Sequence, residues 1–508
     1  MTSTLQYLSA SFVTRGAMFA GLLLSTATGT PFANNPVTIV DSATFLSHDS
    51  PAFSGIAADF DVNVLTYTVV EYTFTSEESF NSSSSTTSAT TTSPDGATST
   101  TSTTQSQLSA STMQSTNFES FTVENEPASV NVYGRNRKLE ASTSDLQKLE
   151  NHFQVPLEFN VKSLATRAAY HVMPWPSSYW AMYLDSINYR WSSSNGPSAT
   201  EKYATAFGVD PSAMVSKVSQ STGVISKTSS NASCLTNEDC RIRGDGSVCA
   251  RPGGETQGLC IPTWYGICHA WAPASLLEPE PNCAVEYNGV TFQPMDIKAL
   301  ITEVYDGAKV ATVFTGARFF NPASAATFDT YGRFTDASRR DLGPGFMHVA
   351  LANILGRFNA SVVLDVSAGP EVWNQPVYGY EVLTEMELTP SDAASRYFGV
   401  PTYPFNRDAQ RMMYVETKVS WMAETFENGG LVSSGRATTY VKGKTYKYLL
   451  ELDEAYNILG GEWVGESKAD HPDFLWIPKA RPDLTAVTNI GLSYKNVRVL
   501  LDMATSCS

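Results

Sequence analysis

The scarce reactive side chains of this 508-residue chain are its seven cysteines and six histidines, and the sharpest pattern among them is Trp264-Tyr-Gly-Ile-Cys-His-Ala-Trp-Ala-Pro-Ala274. A thiol is a nucleophile as its thiolate, and the partial positive charge of a helix N-terminus favours that anion. Tyr265-Gly266 supplies a turn, and Cys268-His-Ala-Trp-Ala can begin a helix. The backbone N–H of Cys268 would then help to hold an oxyanion. On this motif alone, a disulfide half or an inert buried thiol is an equal reading. A second stretch raises the catalytic one. Gly343-Pro-Gly-Phe-Met-His-Val-Ala-Leu-Ala-Asn-Ile-Leu-Gly356 sets His348 after a Gly/Pro loop, at the start of an expected apolar strand. Ser361-Val-Val-Leu-Asp-Val-Ser367 reads as a second strand with Asp365 inside it, 17 residues beyond His348, a spacing that suits a hairpin. A buried Asp needs a partner, and an imidazole is a natural one. Cys268 as nucleophile, His348 as base and Asp365 as orienter is the order of a thiol acyltransferase or protease. Taken singly, His348 reads as a satisfied core histidine and Asp365 as a turn residue at a strand end.

The elements that must hold these groups follow from pattern. Cys234, Cys240, Cys249 and Cys260 are spaced C-x5-C-x8-C-x10-C just before the nucleophile. Two disulfides in a loop-rich module are the plain reading, and a zinc site, lacking a C-x2-C pair, is the lesser one. The odd cysteine count flags a free thiol, and a Cys283–Cys507 pairing would leave Cys268 as that thiol. Leu146–Phe153 has helical spacing, and Ser198–Phe207 reads as a helix with a Ser198/Glu201 capping box and Gly208 at its end. Tyr414–Trp421, Ala437–Val441 and Thr445–Leu452 alternate as strands, and Asn489–Tyr494 with Val497–Leu501 are expected to close the sheet.

Arg15, the apolar run Ala17–Leu24 and small residues after it form a secretory signal too short to span a bilayer. No Lys or Arg occurs from Gly16 to Gly134, and Ser76–Ser115 is dominated by Ser and Thr, a composition expected to be disordered and O-glycosylated. Val62–Phe74 reads as a short strand, and Gly134-Arg-Asn-Arg-Lys-Leu139 as a processing site or a plain linker. Sequons at Asn81, Asn231 and Asn359 fit a glycoprotein. With 34 Lys and Arg against 50 Asp and Glu, the net charge of −16 argues against nucleic acid and anionic membrane as partners. The expected division is a signal peptide at 1–30, a low-complexity pro-region or linker at 31–138, a helical, aromatic part at 139–233, the cysteine module at 234–261, a catalytic core at 262–390 and a β-rich part at 391–508.

Beyond Asp365 the chain reads Gly369-Pro-Glu-Val-Trp-Asn-Gln-Pro-Val-Tyr-Gly-Tyr-Glu-Val382. Val372, Trp373, Asn374, Gln375, Pro376 and Val377 resemble the short surface segment by which plants perceive the transglutaminases of oomycete pathogens such as Phytophthora. Pro174–Trp180, Asp185–Asn188 with Arg190-Trp191, Tyr265–Ala274 and Gly460–Trp463 leading to Asp470–Trp476 resemble the same family, so that the likeness spans roughly 145–480. Tyr378 and Glu381 stand where the family's segment usually carries basic residues. The resemblance implies an α+β fold with a papain-like cysteine acyltransferase core. It implies a secreted, calcium-dependent enzyme that joins a protein glutamine to a lysine amine through a thioester, and an elicitor of plant defence with a plant cell-surface receptor as a partner. Cys268 matches the nucleophile position. Asn374 is a rival orienter and His471 a rival base, and Trp264, Trp271 and Trp373 are candidate walls of a water-excluding channel. No calcium-loop pattern locates the metal, and Glu238, Asp239 and Asp245 read as ordinary loop acids. A papain-like protease and a non-enzymatic cell-wall recognition protein are the competing functions.

Overall fold

The computed structural model describes residues 37–39, 143–308, 310–318, 326–336, 338–340 and 342–507. The chain divides into two units, and one of them, Asp59–Asn131, lies wholly outside these residues. So do the expected signal segment, the expected Val62–Phe74 strand, the Ser/Thr-rich stretch, Asn81 and the basic patch.

The other unit mixes helices and antiparallel sheet, as the α+β expectation requires. A small sheet joins β1 (Val37–Ile39), β4 (Ser247–Pro252), β5 (Gly258–Pro262) and β3 (Ser233–Cys234), in that order. Disulfides Cys234–Cys249 and Cys240–Cys260 cross it, and a third, Cys283–Cys507, ties down the C-terminus. Cys268 is free and buried. A hairpin of β6 (Val285–Tyr287) and β7 (Val290–Phe292) stands apart.

The main sheet runs β13 (Ile458–Trp463), β12 (Val441–Leu452), β11 (Arg411–Met422), β10 (Asn374–Leu388), β9 (Val363–Asp365), β14 (Phe474–Pro478) and β8 (Thr312–Gly316), with β2 (Arg167–Ala169) also paired to β10. Strand periodicity explains β11: Met413, Val415, Thr417, Val419 and Trp421 point inward, while Tyr414, Glu416 and Lys418 are half-exposed. The start of β10 differs, for Val372 through Tyr380 are all buried. The segment expected at the surface is therefore an interior strand, covered by the helix Cys268–Leu277 and flanked by β9.

Three local expectations are corrected. His348 lies on a helix, Pro344–Leu351, and not on a strand. Every residue of that helix is buried, so the run carries no periodicity to separate helix from strand, and Pro344 opens it at the first turn. Ala437–Tyr440 belongs to a 3-10 turn that precedes β12. Asn489–Ser493 forms a turn outside the main sheet, and Val497–Leu501 lies in the helix Tyr494–Thr505, whose buried Tyr494, Val497, Leu500, Leu501 and Ala504 keep three- and four-residue spacing. Two other expected helices fall where their signals do. Thr143–Phe153 is helical, and Ala199–Ala206 starts with Ser198 Oγ accepting from Glu201 N while Glu201 Oε2 accepts from Ser198 N.

Candidate active site

The aromatic segment after Pro174 braces the turn that delivers the thiol. Ile267 N donates to Tyr179 O at 2.8 Å, Met182 N to Tyr265 O at 2.8 Å, and Tyr179 Oη to Thr263 O at 2.7 Å. Gly266 sits so close to Tyr179 that a Cβ there would lie 2.6 Å from its ring and from its carbonyl oxygen. Glycine is the residue that allows this approach. Cys268 then opens its helix, and Ile267 at the cap offers no side-chain acceptor. The N-terminal end of the helix, with its partial positive charge, therefore lies at the thiol, where it favours negative charge.

The thiol is 4% exposed. Its Sγ donates toward Val372 O and accepts from Asn374 Nδ2, each at 3.7 Å. Asn374 is held from its other side by Trp476 Nε1, which donates to Oδ1 at 2.8 Å. Antiparallel register places Asp365 directly opposite Asn374. Asp365 Oδ1 accepts from Trp373 N at 2.9 Å and Ser367 N at 3.2 Å, while Oδ2 is buried without a partner. Glu424, two residues past β11, is also buried. Its Oε1 accepts from Gln375 Nε2 at 2.6 Å and its Oε2 has no partner.

Burial governs the charges. It pushes the Cys268 thiol up to about 12, with the nearby Glu424 and Asp365 carboxylates adding to the rise and Asn374 opposing it. It raises Asp365 to about 7 against two backbone N–H bonds, and Glu424 to about 7 against the Gln375 bond. The resting site thus holds a neutral thiol beside two carboxyls that change charge near neutrality.

The remaining sequence candidates are spread more widely. Burial lowers His348 to about 4; its Nδ1 meets Tyr448 Oη at 2.8 Å, and Tyr448 Oη meets Thr417 Oγ1 at 2.6 Å. Among the described residues no hydrogen bond joins His348 to Cys268 or to Asp365. His471 has both ring nitrogens on backbone carbonyls, Ser467 O at 2.8 Å and Arg339 O at 3.0 Å, and stacks on Trp463. Trp373 packs its ring on Tyr179 at 5.3 Å, close to the thiol's surroundings. Trp264 is half-buried against Tyr265. Trp271 is fully buried, with Nε1 on Trp175 O at 3.2 Å, so its ring fills the core and cannot line a solvent-reached channel.

Glu424, Gln375 and Tyr179 belong to the thiol's surroundings without having been read as chemistry. Glu424 had a signal in the sequence: an acid ending the apolar run Val419-Ser-Trp-Met-Ala423, the same cue that singled out Asp365.

Calcium has no evident cradle here. Among the described residues, the His, Cys, Asp and Glu groups that converge tightly enough for a metal are Cys234, Cys240 and Cys260, all in disulfides. Another buried acid network, Asp185 with Glu303, has its oxygens taken: Asp185 accepts from Ser219 Oγ, Val224 N and Asn188 Nδ2, and Glu303 from Thr222 and Ser186 hydroxyls. Hard cations want several convergent open oxygens, and neither group offers them.

Among the described residues, no helix is long and apolar enough to cross a membrane. No curated protein matches the chain. The crystal structure of the GP42 transglutaminase from Phytophthora sojae is similar, with 46% identity and a TM-score of 0.65 over 72% of this chain and 99% of that one. The transglutaminase elicitor family profile matches residues 145–507, which contain the free thiol, the Asn374–Asp365 strand pair and all three disulfides, and the chain belongs to that family.

Proposed function

We propose that the protein is a secreted, cysteine-dependent acyltransferase that joins glutamine to lysine side chains of proteins through a thioester on Cys268. The observation that carries this is the free thiol at a helix start, touching Asn374 of a strand pair that also bears Asp365, in a chain of the transglutaminase elicitor family.

In this reading Cys268 gives its proton to a carboxylate and attacks the glutamine side-chain carbonyl. The C–N bond breaks as the protonated carboxyl supplies the proton that lets ammonia leave; a lysine amine then attacks the thioester and gives a proton to the same carboxylate, and the C–S bond breaks with the sulfur taking that proton back. Asp365 is the base by virtue of its position opposite Asn374, its open buried oxygen and a carboxyl that titrates at about 7. His348, neutral and engaged with Tyr448, serves the core. Asn374 orients the sulfur, and Cys268 N with its neighbours in the first turn faces the developing oxyanion. Tyr179 and Trp373 keep the reacting end dry.

Calcium dependence stays in this proposal because the family resemblance implies it, and no step is routed through the metal. The disulfides support passage through an oxidising compartment. The elicitor role belongs to the same reading. With Val372–Val377 buried, a plant receptor for that segment would meet it in unfolded or cleaved chains.

The test incubates the protein with a glutamine peptide and a fluorescent amine. Label incorporation that vanishes in Cys268→Ser supports the transferase; backbone cleavage instead means a protease; incorporation surviving in Cys268→Ser overturns the proposal.

A further inference from the structure

Glu424 has no part in the reaction as written, yet it is the acid whose surroundings least explain its burial. It is 8% exposed, it follows the apolar end of β11, and one of its carboxyl oxygens is buried with no partner. A buried carboxyl left half unsatisfied costs free energy and calls for a reason. Among the described residues its side-chain partner is Gln375, the residue after the Asn374 that touches the Cys268 sulfur. The charged and titratable groups that face it are few. Cys268 feels its field from the nucleophile helix and Tyr179 from the aromatic segment; Asp365 faces the same thiol from β9, and Tyr183 faces Tyr179.

We infer that Glu424 is a positioning residue for the thiol: through its bond to Gln375 it fixes the strand whose Asn374 touches Cys268, and its charge bears on that sulfur. Ionised, it opposes the thiolate; neutral, it permits one. Ionisation of Glu424 thus lowers the thiolate fraction, in addition to the larger effect of burial. This rests on Cys268 being the nucleophile, but it is tested on the sulfur itself, so that the two ideas fail separately.

The experiment follows the 13Cβ resonance of cysteine-labelled full-length protein against pH, the six other cysteines being held in disulfides. The wild-type Cys268 signal should show a step near pH 7 when Glu424 ionises, ahead of its own titration. Glu424→Gln should shrink that step and move the thiol titration down by about half a pH unit or more, equivalent to about threefold more thiolate at a given pH. Glu424→Asp should restore both features in part. Gln375→Met leaves Glu424 in place but removes the bond that favours its anion, and should move the step to higher pH, which keeps the inference testable if Glu424→Gln does not fold. A Glu424→Gln or Gln375→Met curve superimposable on wild type overturns it. Loss of amine incorporation in Cys268→Ser is read separately and bears on the reaction alone.

Discussion

Two of the buried acid clusters among the described residues are built on opposite plans. Around Asp185 and Glu303 every carboxyl oxygen has a donor, supplied by Ser186, Asn188, Ser219, Thr222 and the Val224 backbone. Around Cys268, Asp365 and Glu424 each keep one oxygen buried and open. A satisfied network locks a fold, whereas a half-satisfied one stores free energy that a reaction can draw on. The first cluster also holds a strained turn, with Asp185 and Ser186 both at positive φ, and a Cβ on Gly223 would lie 2.1 Å from Asp185 Oδ1. It is an architectural joint. The second lies around the free thiol, and in the proposed reaction its Asp365 moves a proton.

This contrast can be broken by substitution. Asp185→Ala strands Val224 N and the Ser219 and Asn188 side chains, and should cost about 3–5 kcal/mol in urea unfolding; a loss under about 1 kcal/mol would show that the joint is not structural. Asp365→Asn keeps an acceptor for Trp373 N and Ser367 N, so the fold should persist while amine incorporation falls about 100-fold, the usual worth of a general base. Retained activity there would remove Asp365 from proton transfer.

A gentler test uses pH. The Glu424 carboxyl is raised from its ordinary value to about 7, so its stabilising effect is complete below about pH 4.5 and is lost as pH rises through 7. Glu424→Gln should therefore be more stable than wild type at pH 8 by about 1 kcal/mol or more and show no such gain at pH 4. An equal change at both pH values would mean that the carboxyl is not raised. The smallest effect is expected from Tyr448→Phe, which takes the hydroxyl from His348 and Thr417. Stability should drop by about 1 kcal/mol with amine incorporation unaltered. A collapse of activity would instead return His348 to the role of base.

Much of this was legible beforehand, for local reasons. The Ser198 capping box and the helix start at Cys268 follow from side chains acting within a few residues of one another, and the cysteine module from pairs 15 and 20 residues apart. Asp365 announced itself as an acid in an apolar run. The His348 segment misled because a helix buried on every side shows no amphipathic period. The Val497 segment misled because five residues are too short a window to tell period two from period 3.6. Pairing Asn374 with Cys268 needed the long-range register of β10 against β9 and the nucleophile helix, which no local pattern encodes. Burial of the Val372–Val377 segment has the same origin: its Trp, Asn and Gln read as surface residues until two strands and a helix close over them.

The most direct test of the thiol's role is intact-mass and peptide mapping of the protein mixed with a glutamine peptide in the absence of any amine. A thioester on Cys268, seen as the mass of the peptide less ammonia and lost on adding a lysine analogue, is the expected result. An adduct on any other residue, or none while amine incorporation proceeds in the same preparation, would contradict it.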